Sequence, residues 1–155
     1  MSHENLQRNE AVQRSELIST PSYDVSLAVR QAADPDVAGY TSRSVLNFSA
    51  AVPGQGQAAA TFLDFIAGEV HSVFLNGKGL SVADVVDGSR IRLDNLQAEN
   101  QVTVTGTALY SRSGEGMHRF VDPADGRCYL YTQYEPADAR RVFANFEQPD
   151  LKAEY

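Results

Sequence analysis

Apolar and polar residues alternate with a period of two along most of the chain after Pro21. The first such segment is YDVSLAVR, residues 23–30, in which every second side chain is apolar. This alternation predicts half-buried β-strands. SVLNFSAAV repeats the pattern, with Leu46, Phe48, Ala50 and Val52 on one face, and SRIRLDNL and NQVTVTGTALYS continue it. Between them, ATFLDFIA is a mostly apolar strand and EVHSVFL leads into the next turn.

Turn-forming residues separate these segments. Asn76 and Gly77 predict a tight hairpin, because both residues tolerate a positive φ. The run DPADG, Asp122–Gly126, predicts a second hairpin, and PGQGQ at 53–57 predicts another turn. Strands follow one another without the intervening helices that a parallel sheet requires. The pattern therefore predicts an all-β fold, either an antiparallel β-sandwich or one large curved sheet.

Two short helical pieces are expected outside the strands. Residues 4–18 are rich in Glu, Gln and Arg and contain no Gly or Pro, which predicts an N-terminal helix that ends before Pro21. A single helical turn is expected at Ala137–Arg141. No repeat or linker divides the chain. We therefore expect an N-terminal helical segment, 1–20, and a β domain, 21–155.

Composition narrows the choice of partner and compartment. The chain has 155 residues, of which 43% are hydrophobic and 21% charged, as in one globular domain. Its net charge of -7 would repel nucleic acid and anionic membranes, so neither is an expected partner. Cys128 is the single cysteine, so no internal disulfide can form, and residues 1–20 contain no apolar run of signal-peptide length. A cytoplasmic location is expected.

No complete catalytic or metal-binding motif is present. HENLQ, residues 3–7, approaches the zinc motif H-E-x-x-H, but Gln7 replaces the second imidazole, and a neutral amide is a poor zinc ligand. His71 and His118 have no His or Cys at ligand spacing. Cys128 lies in an apolar strand and is expected to be a buried, inert thiol. We therefore expect no metal site and no catalytic residue in this chain.

The stretch YTQYE is the strongest candidate for a binding site. In an extended strand, alternate residues share a face, which places Gln133 and Glu135 together with Tyr131 in line. Thr132 and Tyr134 would point to the opposite side. Two polar groups beside an aromatic ring could form one wall of a ligand site. A solvated strand face is the other interpretation, and the periodicity alone favours it.

The C-terminal part of the chain resembles the N-terminal domain of the aminopeptidase N family, which are zinc metallo-aminopeptidases of the gluzincin type. The resemblance rests on GEGMHRF, then DP, YLYTQYE, ARR and FEQPDLKA, between Gly114 and Ala153. Glu147 stands where the family usually has Asp, a change that bears on the local turn geometry. Upstream, NLQRNEAVQRSELISTPSYDVSLAV is similar to the starts of bacterial members, so the resemblance covers almost the whole chain.

This resemblance implies a fold and a role. The fold would be a saddle-shaped antiparallel β structure. Gln133 would face the pocket for the first substrate side chain, and Glu135 would accept hydrogen bonds from the α-ammonium of a peptide's free N-terminus. The zinc and its ligands would belong to a catalytic domain absent from this sequence. The parent enzyme would then remove N-terminal amino acids, whereas this chain alone would be inactive.

The resemblance also bears on the end of the chain. DLKAEY, residues 150–155, is expected to be a strand, and family members usually continue through further strands. Missing strands would leave a sheet edge unpaired, through which the chain could self-associate. Two other interpretations stay open, namely a free-standing β module that binds peptides or proteins, and a structural β-sandwich without a ligand.

Overall fold

The computed structural model describes residues 5–51 and 58–155. Val52 and the turn predicted at 53–57 lie outside the described residues. In chain order, the elements are α1 (Arg8–Leu17), β1 (Ile18–Ala28), β2 (Gly39–Ala50), β3 (Thr61–Asp64), β4 (Glu69–Leu75), β5 (Lys78–Leu80), α2 (Val82–Val85), β6 (Val86–Asp87), β7 (Arg90–Leu93), β8 (Glu99–Leu109), β9 (Gly116–Val121), β10 (Cys128–Gln133) and a 3₁₀ helix (Ala139–Arg141).

The strands form three antiparallel sheets. The largest has the order β1-β2-β8-β4-β5, the second the order β3-β7-β6, and the third is the hairpin of β9 and β10. The prediction of an all-β, antiparallel fold with one short N-terminal helix is confirmed. None of the helices in the described part of the chain is long and apolar enough to cross a membrane.

The alternation in the sequence becomes an alternation in burial. Along β2, Leu46 and Phe48 are fully buried while Asn47 between them is exposed. β8, the next strand in the sheet, repeats the pattern with Val102 and Val104. These side chains share one core with residues of β3, β7 and the segment 142–146. Burial of this apolar face is the main favourable term for the fold.

Both predicted hairpins are confirmed. Between β4 and β5, Asn76 and Gly77 have φ values of 51° and 78°, the positive values that the tight turn requires. Between β9 and β10, the turn ends at Gly126, whose φ is 69°. The predicted helical turn near Arg141 is also present, as the 3₁₀ helix.

The N-terminal boundary differs from the prediction. Helix α1 ends at Leu17, and β1 already begins at Ile18, so Pro21 lies within a strand rather than ending a helix. Ile18 pairs with Ala50 and is buried in the core. Ile18 is β-branched, so the strand conformation suits it better than one more helical residue would. The helix therefore ends at Leu17 and the strand begins at once. The one-turn helix α2 was not predicted.

Helix α1 is fixed to the sheet through a buried arginine. Arg14 is 2% exposed and donates from Nε to Gln148 Oε1 over 2.9 Å, and from Nη1 to the carbonyl oxygen of Phe62 and to Asp64 Oδ2. The ion pair with Asp64 has an N–O distance of 3.3 Å. Burial raises the pKa of Asp64 and lowers the pKa of Arg14. Arg14 therefore connects the start, the middle and the end of the chain.

The prediction of a strand at residues 150–155 is wrong. Only Glu154 pairs, through an isolated parallel bridge to Ser22, in which Tyr23 donates its N–H to the Glu154 carbonyl over 2.8 Å. A turn closed by Leu151 N–H and the Gln148 carbonyl precedes this bridge. Because of that turn, the tail forms a single backbone bridge with β1 among the described residues, and Thr20 Oγ1 of β1 donates in addition to the Lys152 carbonyl over 3.1 Å.

Candidate functional site

The candidate site begins at the last residue of the β9–β10 hairpin. Gln133 ends β10 and lies opposite Gly116, the first residue of β9. Directly opposed residues and alternate residues share one face of a β-ribbon. The face that contains Gln133 therefore also carries Tyr129, Tyr131, Phe120 and His118.

The opposite face of the hairpin is held by a loop. Arg119 donates from Nη1 to the carbonyl oxygens of Val37 over 2.7 Å and of Ala32 over 3.4 Å. Its guanidinium carbon lies 4.5 Å from the centre of the Tyr110 ring, a cation–π contact. The Cys128 thiol donates to the Ala32 carbonyl as well. These contacts fix the orientation of the hairpin, so the Gln133 face is turned away from the loop.

An exposed aromatic surface leads along this face to Gln133. Tyr131 is 51% exposed, and its ring lies 4.7 Å from the ring of His118, its cross-strand partner. Phe120 and Tyr129, the next cross-strand pair, are also about half exposed. Exposed aromatic residues that lie next to each other are typical of contact surfaces.

Glu135 lies beyond the strand, in a turn. The turn is closed by a hydrogen bond from Asp138 N–H to the Tyr134 carbonyl over 2.8 Å, and the peptide bond between Glu135 and Pro136 is cis. Strand β10 ends at Gln133, so the strand alternation that predicted Gln133 and Glu135 on one face does not extend to Glu135. That the two side chains share a face stays a prediction.

The 3₁₀ helix supports this turn. Arg141 donates from Nε to Asp138 Oδ1 over 2.7 Å. On its other side, Arg141 packs against Gly116, which has a φ of 63° and on which a Cβ atom would lie 2.8 Å from the Arg141 Cβ. The helix thus contacts both the turn that contains Glu135 and the residue opposite Gln133. Sequence reasoning missed this role of Arg141, and the run ARR after TQYE was the available signal.

Glu147, the residue that departs from the family pattern, also holds this helix. Its Oε2 accepts the Arg140 backbone N–H over 2.6 Å and the Asn145 side-chain amide over 3.4 Å. Burial raises the pKa of Glu147. The carboxylate satisfies a backbone donor that the short helix would otherwise leave without an intrahelical partner.

The side chains of Gln133 and Glu135 are both exposed. Within residues 5–51 and 58–155, neither side chain forms a hydrogen bond or ion pair. Tyr134 between them differs, because its ring packs edge-on against Phe143 at 5.9 Å. The Glu135 carboxylate can accept several hydrogen bonds, and the Gln133 amide can both donate and accept. The segment thus presents two unused polar groups beside one anchored ring.

The described residues do not fit a zinc ion. In the part of the chain that the structure describes, no group of three or more His, Cys, Asp or Glu side chains could hold a metal. His3 of the zinc-like run lies outside the described residues. His71 lies 3.0 Å from Thr107 Oγ1, and His118 stacks on Tyr131. Cys128 was expected to be buried but is half-buried, because its thiol faces the loop carbonyl rather than the core.

Comparison of sequences identifies related proteins. No protein-family profile matches the chain. Aminopeptidase N of Streptomyces lividans is 45% identical over 152 residues, which is 97% of this chain and 17% of that protein. This chain therefore corresponds to a small part of that relative.

Comparison of structures supports the same relationship at the level of the fold. Leukotriene A4 hydrolase of Saccharomyces cerevisiae superposes with a TM-score of 0.68 at 15% identity, covering 96% of this chain and 26% of that one. An M1 zinc metallopeptidase of Deinococcus radiodurans superposes with a TM-score of 0.58 at 18% identity, covering 89% of this chain and 31% of that one.

The fold and the 45% identity to an aminopeptidase N together define a class, the N-terminal β domains of M1 aminopeptidases. Within that class the chain belongs to the aminopeptidase N family, as a region homologous to the N-terminal part of the longer enzymes. The resemblance found from GEGMHRF to DLKA is thereby confirmed.

Proposed function

We propose that this chain is the non-catalytic N-terminal β domain of a zinc aminopeptidase that removes single N-terminal amino acids from peptides. In this proposal, Glu135 accepts hydrogen bonds from the substrate's α-ammonium group, and Gln133 lines the pocket for the first side chain. The catalytic domain of the longer protein is the partner that supplies zinc and its ligands. The single cysteine, Cys128, fits a cytoplasmic enzyme.

This proposal rests on one observation: the YTQYE segment is held in place by its neighbours, while two of its polar side chains are exposed. Gln133 and Glu135 are exposed and have no side-chain partner among the described residues. The segment that bears them is nevertheless anchored, through Arg119 on the hairpin and Arg141 on the following helix. Because the backbone of this segment is held, binding would have to order only the two side chains and not the segment itself.

The chemistry of an amino terminus fits a lone carboxylate. An α-ammonium group offers three N–H donors, and a carboxylate accepts them with charge assistance. Such a hydrogen bond contributes on the order of 1.5–3 kcal/mol. An acetylated terminus or an internal peptide bond has no positive charge and would leave Glu135 unpaired. This mismatch would restrict the enzyme to free N-termini.

The test uses the full-length enzyme that contains this domain. Glu135→Gln keeps the size of the side chain and removes its charge. We expect kcat/KM for amino-acid anilides to fall by roughly 10²-fold, the equivalent of one charge-assisted contact. Glu69→Gln, at an exposed carboxylate on β4, is the control and should leave kcat/KM unchanged. Equal kcat/KM for Glu135→Gln and the unmodified enzyme would overturn the role of Glu135.

Gln133 is expected to behave differently. A pocket residue contacts the first side chain, so Gln133→Ala should change the ranking of kcat/KM among anilides that differ in that side chain. Glu135→Gln should instead lower kcat/KM by a similar factor for all of them, because every substrate has the same ammonium group. If Gln133→Ala leaves the ranking as it was, Gln133 does not line the pocket.

A further inference from the structure

Asn76 is the one asparagine in the chain that is followed by glycine. Both residues are exposed at the turn between β4 and β5, so water reaches them. Glycine has no side chain, so the Gly77 nitrogen is less hindered than the backbone nitrogen that follows any other asparagine of the chain. The Asn76 side-chain amide is therefore the asparagine amide most open to attack by the next backbone nitrogen.

This attack would convert Asn76 to an acid in two steps that need only water. Hydroxide removes the proton of the Gly77 amide, and the nitrogen forms a bond to Asn76 Cγ. The bond between Cγ and Nδ2 breaks, and Nδ2 takes up a proton from water and leaves as ammonia. Water then opens the five-membered imide at either carbonyl, which gives aspartate or isoaspartate. No oxidant or reductant takes part.

The backbone of the native turn keeps the two reacting atoms apart. Asn76 and Gly77 have φ values of 51° and 78°, and two positive values define a type I′ turn. In such a turn the ψ angle of the first central residue is about 30°. With that ψ, the Gly77 nitrogen lies on the side of the Cα–C bond away from the Asn76 Cβ. The imide ring cannot close until the turn changes conformation.

Hydrogen bonds also hold the Asn76 side chain away from Gly77. Its Nδ2 donates to Asn100 Oδ1 over 3.1 Å, and its Oδ1 accepts the Gln101 backbone N–H over 2.9 Å. The Asn76 backbone N–H donates to the Gln101 carbonyl over 2.8 Å. Rotation of Cγ toward the Gly77 nitrogen would break both side-chain bonds. The fold thus opposes a reaction that the local sequence favours.

We propose that Asn76 is a modification site, at which hydrolysis of the side-chain amide gives aspartate or isoaspartate, and that the reaction proceeds in molecules whose β4–β5 hairpin has opened. Strand β5 has three residues, lies at the edge of its sheet and pairs with β4 alone among the described residues. Such an edge opens at a lower free energy than the core strands. The inference goes beyond the proposed function and does not depend on the roles of Gln133 and Glu135.

The product does not fit the native turn. Asn100 is 5% exposed, and its orientation is fixed because Oδ1 accepts the Gln97 N–H over 2.9 Å while Nδ2 donates to the Gln97 carbonyl over 2.6 Å. An aspartate at position 76 would place a carboxylate oxygen against Asn100 Oδ1, and neither oxygen has a proton to donate. An isoaspartate would also lengthen the backbone by one atom beside the Leu75–Lys78 pair. The modification therefore favours the open hairpin.

The first experiment measures the rate of the reaction in the 155-residue chain. The protein is incubated in mildly alkaline buffer with and without urea, and the peptide that contains position 76 is followed by mass spectrometry and chromatography. We expect conversion at least about 10-fold faster in urea, because the folded turn has to open first. Asn95, which also has a positive φ and is followed by Leu96, is the internal reference and should stay unmodified over the same period.

Two changes at position 100 test the hydrogen bond to Asn76. Asn100→Ala and Asn100→Asp both remove the donor to the Gln97 carbonyl, but Asn100→Asp keeps an acceptor for Asn76 Nδ2. Conversion in the folded protein should be about 3- to 10-fold faster for Asn100→Ala than for Asn100→Asp, the equivalent of one hydrogen bond. Equal rates for the two variants would show that this bond does not restrain the reaction.

The effect of the product is measured on the variant Asn76→Asp. Amide hydrogen exchange in β5 should be about 10-fold faster than in the unmodified chain, because the hairpin is open for more of the time. Asn95→Asp makes the same change at another exposed residue of positive φ and should leave β5 exchange as it was. The proposal is overturned if folded and unfolded chains convert Asn76 at the same rate, or if Asn76→Asp exchanges like the control.

Discussion

Gly116 lies directly opposite Gln133 in the β9–β10 ladder, and its α-carbon packs against the side chain of Arg141. A Cβ atom on Gly116 would lie 2.8 Å from the Arg141 Cβ, closer than such atoms approach in proteins. The end of the hairpin and the 3₁₀ helix therefore meet at a residue without a side chain. The spacing between Gln133 and the turn that carries Glu135 depends on this contact.

Gly116→Ala should destabilise the chain more than the matched change Gly126→Ala. Both glycines have positive φ, 63° and 69°, so both changes carry the left-handed strain of about 1–2 kcal/mol. A Cβ on Gly126 meets no atom within 4 Å, whereas one on Gly116 meets Arg141. Overpacking adds about 1–3 kcal/mol to the Gly116 change. Urea unfolding of the two variants measures the difference, and equal losses would contradict the close contact.

Two buried tyrosines should respond in opposite ways to loss of the hydroxyl. The Tyr23 hydroxyl accepts the Phe146 backbone N–H over 3.0 Å, so Tyr23→Phe leaves a buried donor unpaired and should cost about 1–3 kcal/mol. The Tyr40 hydroxyl is buried without a hydrogen-bond partner among the described residues. Tyr40→Phe should therefore leave the free energy of unfolding unchanged or raise it. Thermal unfolding compares the two, and a larger loss for Tyr40→Phe would be incompatible with this arrangement.

The same tyrosines predict alkaline unfolding. Burial raises the pKa of Tyr23 and of Tyr40 above the ordinary value. In the unfolded chain both phenols ionise near pH 10, so the unfolded state releases protons first. Their contribution to stability is fully present below about pH 10 and is lost as the pH rises above it. The free energy of unfolding, measured between pH 8 and 11, should fall less steeply for Tyr40→Phe than for the unmodified chain.

Removing Arg14 should leave the buried Asp64 carboxylate without its ion pair to Arg14. Arg14→Met leaves Asp64, which is 1% exposed, without its charged partner, and should cost about 3–5 kcal/mol near neutral pH. Burial already raises the pKa of Asp64, and loss of the guanidinium raises it further. The variant should therefore recover stability as the pH falls and Asp64 becomes protonated. Chemical unfolding at several pH values tests this, and Arg14→Met combined with Asp64→Leu should recover stability at all of them.

The isolated chain is expected to hydrolyse no amino-acid anilide and to bind no zinc at a stoichiometric level. The described residues contain no cluster of metal ligands. Equilibrium dialysis followed by metal analysis measures zinc, and anilide release measures activity. Zinc-dependent hydrolysis by the pure 155-residue protein would contradict the proposed division of labour between this domain and the rest of the enzyme.

The strands could be predicted because local pattern and burial agree there. Leu46 and Phe48 alternate with polar residues in the sequence and are buried in the structure. The ends of elements were less predictable, because competition between a helix and a strand decides them. Ile18 joins the strand because it pairs with Ala50, a residue far from it in the sequence. At the C-terminus, the turn before Leu151 shortens the expected strand to one bridge.

The candidate site was predictable in part for the same reason. Gln133 lies on the strand that the alternation indicated, but the strand ends there and Glu135 lies in a turn. Pro136 was the local signal for this, since proline has no N–H to donate to a sheet. The supports of the site, Arg141 and Glu147, act through contacts that no local pattern reveals.

Arg14 forms hydrogen bonds with residues far from it in sequence, and this has a consequence for synthesis on the ribosome. Its partners Asp64 and Gln148 are translated 50 and 134 residues later. Asp64 is translated early, but the Gln148 amide is translated only when almost all of this chain has been made. In a nascent chain that ends before Gln148, the Arg14 guanidinium lacks one of its hydrogen-bond acceptors. We expect such a chain to stay accessible to chaperones and proteases until Gln148 has been added.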